Sequence, residues 1–275
     1  MRFINPNFYL SLIFCLILFI SGRQLAELPS SGKTKGNITA ILSLIALPSL
    51  LFPLGYLNFF GESPLYCSFR AINRSEILTS LIAPLFGYIT YLRPRSVIRE
   101  YGFSAMTKRL RPFAFPFCLL FITFCFVKPI IRPLDKNIDF LEIWENDVMM
   151  QSSASTCGPS SLATVMYSID SYRDSEEDIA RGAYTCRTGA DNWYLARYSI
   201  ALGYKAKFSV CRDITEVPVP SIAGVRINGA GHFIAILSVE NNIVEIGDPL
   251  RGKLYLSPSD FNNLYEFSGF LTAFS

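Results

Sequence analysis

The sequence predicts a chain of two unlike parts, an α-helical transmembrane region over residues 1–136 and an α+β domain over residues 137–275. Three observations lead there. Hydrophobic residues make up 51% of the 275 and charged residues only 17%, a membrane-like balance. Charge then divides the chain: up to Lys136 there are fifteen Lys/Arg against five Asp/Glu, and from Asn137 onward ten against seventeen. The hydrophobic pattern changes at the same place, from long apolar runs to capped helical stripes and then alternating strands. Because the basic charges of the first part flank apolar segments, they read as membrane flanks facing a lipid bilayer, and no nucleic-acid partner is expected.

The first part holds four apolar segments, 8–21, 38–60, 77–92 and 113–131. A spanning helix wants about 20 apolar residues, with about 17 as a working minimum, so the second and fourth qualify directly. The third is about a residue short on that scale, and Ala83-Pro84 is a place for a kink or a re-entrant turn. The first has the length of a signal-peptide core with Arg2 ahead of it. No small-x-small cleavage site follows convincingly, Ile20-Ser21-Gly22 being the nearest, so an uncleaved helix is favoured. The chain therefore reads as an integral membrane protein with about four transmembrane helices, expected in a bacterial inner membrane. Phe60, Tyr88 and Tyr91 near segment ends suit an aromatic belt. Cys15, Cys118 and Cys125 fall inside spans as packing residues.

With four spans, the first and third loops share a side and carry Arg23, Lys33, Lys35, Arg93, Arg95, Arg99, Lys108, Arg109 and Arg111. The other side has Arg2, Arg70, Arg74, Lys128, Arg132 and Lys136. The positive-inside tendency then puts both termini, and the second domain, outside the cytoplasm. That orientation rests mainly on the third loop, and the parity changes if the first segment does not span. Ser31-Gly32-Lys33-Thr34 imitates the end of a phosphate-binding loop, but Glu27 stands where that loop needs glycine and no strand precedes it. No nucleotide cassette is expected from it.

In the second part, 137–144 reads as a leading strand or linker. A helix runs from Cys157 to about residue 168, with Pro159 and Ser160 in its first turn and an apolar stripe of Leu162, Val165, Met166 and Ile169. Ser175-Glu176-Glu177-Asp178 resembles a capping box and opens a second helix toward Ala183. A third occupies 191–202, with Gly203 as its stop. Residues 204–210 alternate as a half-buried strand, and 222–227 is a strand before a hairpin. Residues 253–256 continue after that hairpin, Ser257-Pro258-Ser259-Asp260 starts a short helix, and 269–274 closes the sheet. Helices first and antiparallel strands later make an α+β domain.

Chemistry points to Cys157. A thiol at a helix start faces unpaired backbone N–H groups and the positive end of the helix dipole, which favours its nucleophilic thiolate. The bland reading is a buried structural cysteine, the commoner case for an arbitrary one. His232, the single histidine, shifts the balance. It opens the run Gly231-His232-Phe233-Ile234-Ala235-Ile236-Leu237; Glu240-Asn241-Asn242 follows, then Ile243-Val244-Glu245-Ile246 and Gly247-Asp248-Pro249. Two apolar runs about an Asn-Asn pair read as a β-hairpin. His232 and Asp248 are symmetric about position 240, so folding there brings them to one end of adjacent strands. A carboxylate beside the imidazole is the base-plus-orienter pair that a cysteine nucleophile needs. The seven cysteines form no CxxC pair, and Cys157, Cys186, Cys211 and His232 match no metal-ligand spacing, so neither metal nor other cofactor is expected. Cys186 and Cys211 pair as a disulfide only if the domain is exported; two thiols is the slightly favoured reading.

Gln151 to Ala163, then Gly231-His232-Phe233, then Gly247-Asp248-Pro249-Leu250-Arg251-Gly252 resemble, in that order, the C39 peptidase family of papain-like, bacteriocin-processing cysteine peptidases. The likeness covers roughly the last half of the chain, from about Val148. It implies a papain-like fold, with Cys157 as nucleophile, His232 as general base and acid, and Asp248 as orienter. It also implies that Gln151 donates its side-chain amide to an oxyanion hole beside the backbone N–H of Cys157. The substrate it implies is a peptide or precursor protein, cleaved in a leader after a double glycine, with export machinery as a separate partner. Ser160, after Gly158-Pro159, is a mild departure from the family pattern. The rival from another class is a non-catalytic peptide-binding domain on a membrane scaffold, but degenerate domains of that kind lack the nucleophile. A transporter reading is disfavoured, because only Lys128 among charged residues lies within an apolar segment.

Overall fold

The computed structural model describes residues 5–57, 59–60, 62–92 and 103–275. Arg2, Arg93, Arg95 and Arg99, on which part of the orientation argument rests, lie outside the described residues, as does the side chain of Lys108.

In chain order the helices before the second domain are α1 (Asn7–Glu27), α2 (Gly32–Ala46), α3 (Leu51–Tyr56), α4 (Pro64–Ala71), α5 (Ala83–Tyr91), α6 (Phe103–Cys125) and α7 (Val127–Ile131). The chain divides into two compact units, one of which holds Asn5–Gly61 and Arg74–Val127. Among the described residues two helices in it are long and apolar enough to cross a membrane by length and composition, Asn7–Glu27 and the run Gly32–Gly55. The third apolar segment is a 3₁₀ stretch, Ser75–Ile82, followed by α5, with Pro84 in the first turn of α5. Proline is tolerated there because the first-turn N–H has no intrahelical partner anyway, so Pro84 starts a helix rather than kinking one. Pro112 and Pro116 lie inside α6, which begins ten residues before the apolar segment does. α1 packs chiefly on α5. Tyr88 is buried among Ala26 and Leu42, its hydroxyl donating to the Lys35 carbonyl at 3.3 Å, and is no surface belt residue.

The other unit holds Glu62–Asn73 together with Lys128–Ser275. Ser63 caps α4, accepting from the Tyr66 N–H, and Pro64 fits its first turn. Cys67 and Ala71 on α4 complete an apolar cluster with Ala196, Phe208 and Phe270. Arg70 is 1% exposed, its guanidinium 4.6 Å from the centre of the Trp193 ring. Arg70 Nη1 donates to Tyr66 Oη at 2.9 Å and Nη2 to Tyr194 Oη at 3.3 Å. Counted from sequence as a membrane flank, Arg70 is instead stacked inside this unit, where an aromatic face offsets part of the cost of removing its charge from water.

The rest of this unit is the α+β domain. β1 (Trp144–Glu145) and β2 (Val148–Met149) form a small hairpin, followed by α8 (Cys157–Asp170), α9 (Glu176–Gly182) and α10 (Asn192–Ala201). Six strands then make one antiparallel sheet: β3 (Ala206–Val210), β4 (Ser221–Ile227), β5 (Ala230–Glu240), β6 (Ile243–Asp248), β7 (Gly252–Leu256) and β8 (Glu266–Phe274), in the order β3-β8-β4-β5-β6-β7. One core joins α8, α9 and α10 to the sheet through Leu162, Met166, Ile179, Leu195, Ile222 and Ala235. A second core includes Phe261 of α11 (Pro258–Leu264) packed with Ile234, Ile236, Val244 and Ile246 of the sheet. Of the two readings of 137–144, the linker is the one observed, since no strand forms before Trp144. Glu142 takes a left-handed φ of +50°, which interrupts extended backbone, and the Leu141 N–H is taken by Ser152 Oγ at 3.1 Å.

Candidate active site

Cys157 is the first residue of α8 and 6% exposed. The Thr156 side chain does not cap the helix; its Oγ1 accepts from the Ser153 N–H at 3.0 Å, folding 153–156 into a turn before the thiol. The next residue must be small. A Cβ on Gly158 would lie 3.0 Å from Leu195 Cδ1 and 3.3 Å from Phe233 Cδ2, so glycine lets α10 and β5 both close on the helix start.

The imidazole comes from the hairpin. Asn241 and Asn242 both have positive φ, 49° and 62°, as a tight two-residue turn requires. Glu240 pairs with Ile243 and Ser238 with Glu245, but a bulge then leaves Leu237 unpaired and Ile236 faces Ile246. The last pair is Ala235 with Gly247, so Asp248 comes next to Ile234. That one-residue shift decides the chemistry. Without it Asp248 would face residue 235, whose side chain points to the opposite side of the sheet from residue 232. With it, Asp248 and His232 share a face, two residues apart. β5 continues along β4 as far as Val225–His232 and beyond, whereas its pairing with β6 has ended. The first turns of α8 take the vacated place, with Ser161 Oγ donating to the Phe233 carbonyl at 3.0 Å.

Asp248 is fully buried and saturated with donors. Its Oδ1 accepts from His232 Nε2 at 2.8 Å and from the Leu250 N–H at 2.9 Å. Its Oδ2 accepts from Tyr265 Oη at 2.7 Å and Arg251 Nη1 at 3.0 Å. Burial raises the carboxyl pKa, but these hydrogen bonds, led by that from His232, outweigh it and hold the pKa at about 2. For His232 burial opposes the charged form, yet the hydrogen bonds to Asp248 and Cys157 and the charges of those two groups raise its pKa to about 9. Since Nε2 is committed to Asp248, Nδ1 is the nitrogen left to meet the Cys157 thiol. Burial and the bond to Asp248 push the Tyr265 hydroxyl pKa up, so it stays a donor.

Cys157, His232 and Asp248 thus come together. Gln151 is tied to the same place through its backbone, its N–H donating to the Pro249 carbonyl at 3.0 Å. Its side chain bonds none of the other three; Nε2 donates one hydrogen to the Ser153 carbonyl at 2.7 Å. Tyr265 was not singled out by the sequence, and no local signal could have found it, since α11 separates it from Asp248. Arg251 lay inside a recognised motif, but nothing there revealed its bond to Asp248. Cys186 Sγ bonds Thr188 Oγ1 at 3.1 Å and Cys211 Sγ bonds the Asp213 carbonyl at 3.2 Å, both as free thiols. Among the described residues no group of three or more His, Cys, Asp or Glu is arranged to hold a metal.

A helix-start thiol beside an imidazole that is oriented by a buried carboxylate, in an α+β domain, is the layout of cysteine-nucleophile enzymes. Residues 145–274, just under half of the chain, match the model of the Peptidase C39 family, and this domain belongs to that family. The chain is 28% identical over 118 residues to an uncharacterized protein of Methanothermobacter marburgensis, covering 43% of this chain and 82% of that protein. It is also 28% identical over 124 residues to the probable functional amyloid protease FapD of Pseudomonas fluorescens, covering 42% of this chain and 55% of FapD. Similar solved structures include a double glycine motif protease from an AMS/PCAT transporter in complex with the leader peptide, at 22% identity and a TM-score of 0.41 over 46% of this chain and 89% of that one. The peptidase domain of Streptococcus ComA gives 18% identity and a TM-score of 0.41 over 46% of this chain and 96% of that one.

Proposed function

We propose that residues 137–275 form a cysteine peptidase, anchored by a membrane region over residues 1–136, that hydrolyses a peptide bond in a leader or precursor peptide. The observation that carries this is the series from the Cys157 thiol through the His232 ring to Asp248, with the 2.8 Å Nε2–Oδ1 contact as its fixed end. Cys157 passes its proton to His232 Nδ1 and attacks the peptide carbonyl. The oxyanion is held by the Cys157 backbone N–H and the second side-chain hydrogen of Gln151, the one not used on Ser153. His232 then returns its proton to the leaving amine, and water hydrolyses the thioester. Arg251 and Tyr265 hold Asp248 ionised throughout. A peptide substrate is the reading that family membership supports; cleavage after a double glycine and delivery to separate export machinery are further parts of the proposal.

On topology, the apolar segments together form the membrane region, and the peptidase domain lies outside the cytoplasm. That Glu62–Asn73 belongs to one compact unit with Lys128–Ser275 supports an even number of crossings between them.

The test is hydrolysis of a fluorogenic peptide containing a Gly-Gly site by the full-length protein in detergent. Turnover by the wild type that disappears in Cys157→Ala is expected. Saturable peptide binding without turnover would replace the peptidase with a binding domain.

A further inference from the structure

Glu176 is a fully buried carboxylate that the proposed mechanism does not use. Its Oε1 accepts from the Ser152 N–H at 2.9 Å and lies 3.0 Å from Ser160 Oγ, while Oε2 accepts a short hydrogen bond from Ser152 Oγ. Ser152 follows Gln151; Ser160 is in the first turn of α8, three residues after Cys157. We infer that Glu176 is a positioning residue: its carboxylate clamps the 151–155 loop to the nucleophile helix and so fixes where the Gln151 amide points. The inference rests on the peptidase reading above.

Three features support it. First, no Lys or Arg pairs with Glu176 among the described residues, so this buried carboxyl group is held by hydroxyl and amide partners alone. Second, the clamp is braced from behind. Glu142 accepts from the Glu176 N–H at 3.1 Å and the Glu177 N–H at 3.4 Å, and Ser175 Oγ accepts from the Asp178 N–H at 2.9 Å. The start of α9 is thereby fixed, and with it the carboxylate. Third, Gln151 sits between two anchors, its own N–H on the Pro249 carbonyl beside Asp248 and the next N–H on Glu176. Releasing either frees the peptide that aims its side chain, whereas Cys157, His232 and Asp248 share no hydrogen bond with Glu176. Displacements of about 1 Å at such a site are enough to cost up to about 10² in rate.

The test uses full-length protein in detergent and the variant Glu176→Gln, which keeps one carbonyl acceptor and nearly the same volume. Hydrogen exchange of the 151–155 amides is expected to speed up about ten-fold while α8 exchange is unchanged; unchanged exchange in the loop would overturn the clamp, whether or not the protein is active. In hydrolysis, kcat is expected to fall about ten-fold with KM within about two-fold and the rate of Cys157 alkylation unaltered. In a Gln151→Ala background the same change is expected to add no further loss, because the clamp acts through Gln151. A wild-type kcat in Glu176→Gln would overturn the inference. So would alkylation that slows in step with hydrolysis, or multiplying losses in the double variant. Wild-type protein that binds peptide without cleaving it, yet shows the loop-specific exchange effect, would refute the peptidase and leave the clamp standing.

Discussion

The single histidine makes one measurement unusually direct, because one imidazole signal reports His232 without assignment. A rise from 6.5 to about 9 corresponds to about 3 kcal/mol favouring the imidazolium, taking 1.36 kcal/mol per unit. Burial works the other way, so the hydrogen bonds and charges of Asp248 and Cys157 must supply more than that. In Asp248→Asn the carboxylate charge is gone while burial and the Cys157 contribution remain, and the pKa is expected to fall from about 9 toward its ordinary value. NMR of ¹³C-labelled histidine across pH reads this out. Wild-type titration at or below 6.5, or a titration indifferent to Asp248→Asn, would refute the coupling. The same shifts set a stability window. His232, with a raised folded pKa, contributes stability fully present below about 6.5 and lost as pH rises through about 9. Asp248, with a depressed one, contributes stability present above about 4 and lost as pH falls through about 2. Both describe one buried pair, about 2–3 kcal/mol in all, so unfolding midpoints are expected to peak near pH 4–6.5 and fall on either side.

Tyr265→Phe removes one of four donors to Asp248 and is expected to cost about 1.5–3 kcal/mol in chemical denaturation, the scale of a hydrogen bond to a charged group. Gly247→Ala puts a Cβ 2.8 Å from Thr164 Cγ2 and 3.2 Å from Val148 Cγ2, and is expected to lower the thermal midpoint by an amount equivalent to about 1–3 kcal/mol. Arg70→Met removes the stack on Trp193 and two hydrogen bonds within the unit that holds the peptidase domain. It should destabilise that unit by about 2–3 kcal/mol, measured by the same unfolding assay, and Arg70→Lys should rescue it only in part.

Much of the domain was legible because its local signals agree with its packing. The Cys-Gly-Pro helix start, the Ser175 cap, the Gly203 stop and the Asn-Asn turn are all local chemistry, and each sits in the structure where the sequence put it. The approach of His232 to Asp248 was legible only as nearness. The bulge at Leu237, which puts both on one face, has no signature in an unbroken apolar run. Partners that lie far apart in sequence were invisible for a related reason. Tyr265 and Glu176 act through folds of the chain that no periodicity encodes, and Glu176 looked like an ordinary first-turn carboxylate. Arg70 read as a membrane flank because a cation beside apolar segments usually is one; only the stack on Trp193 reveals it as interior. Residues 137–144 read as strand or linker alike, because what makes them a linker is the positive φ at Glu142, of which a non-glycine residue gives no warning.

The measurement that bears most directly on the proposed cysteine chemistry is iodoacetamide labelling of the full-length protein at pH 6, where free thiols are largely protonated. Cys211, a half-buried thiol bonded only to the Asp213 carbonyl, serves as the internal standard. Cys157 paired with an imidazolium is expected to be alkylated at least about ten-fold faster than Cys211, and His232→Ala to abolish the difference. Labelling of Cys157 no faster than Cys211, or a rate unmoved by His232→Ala, would contradict a working thiol–imidazole pair.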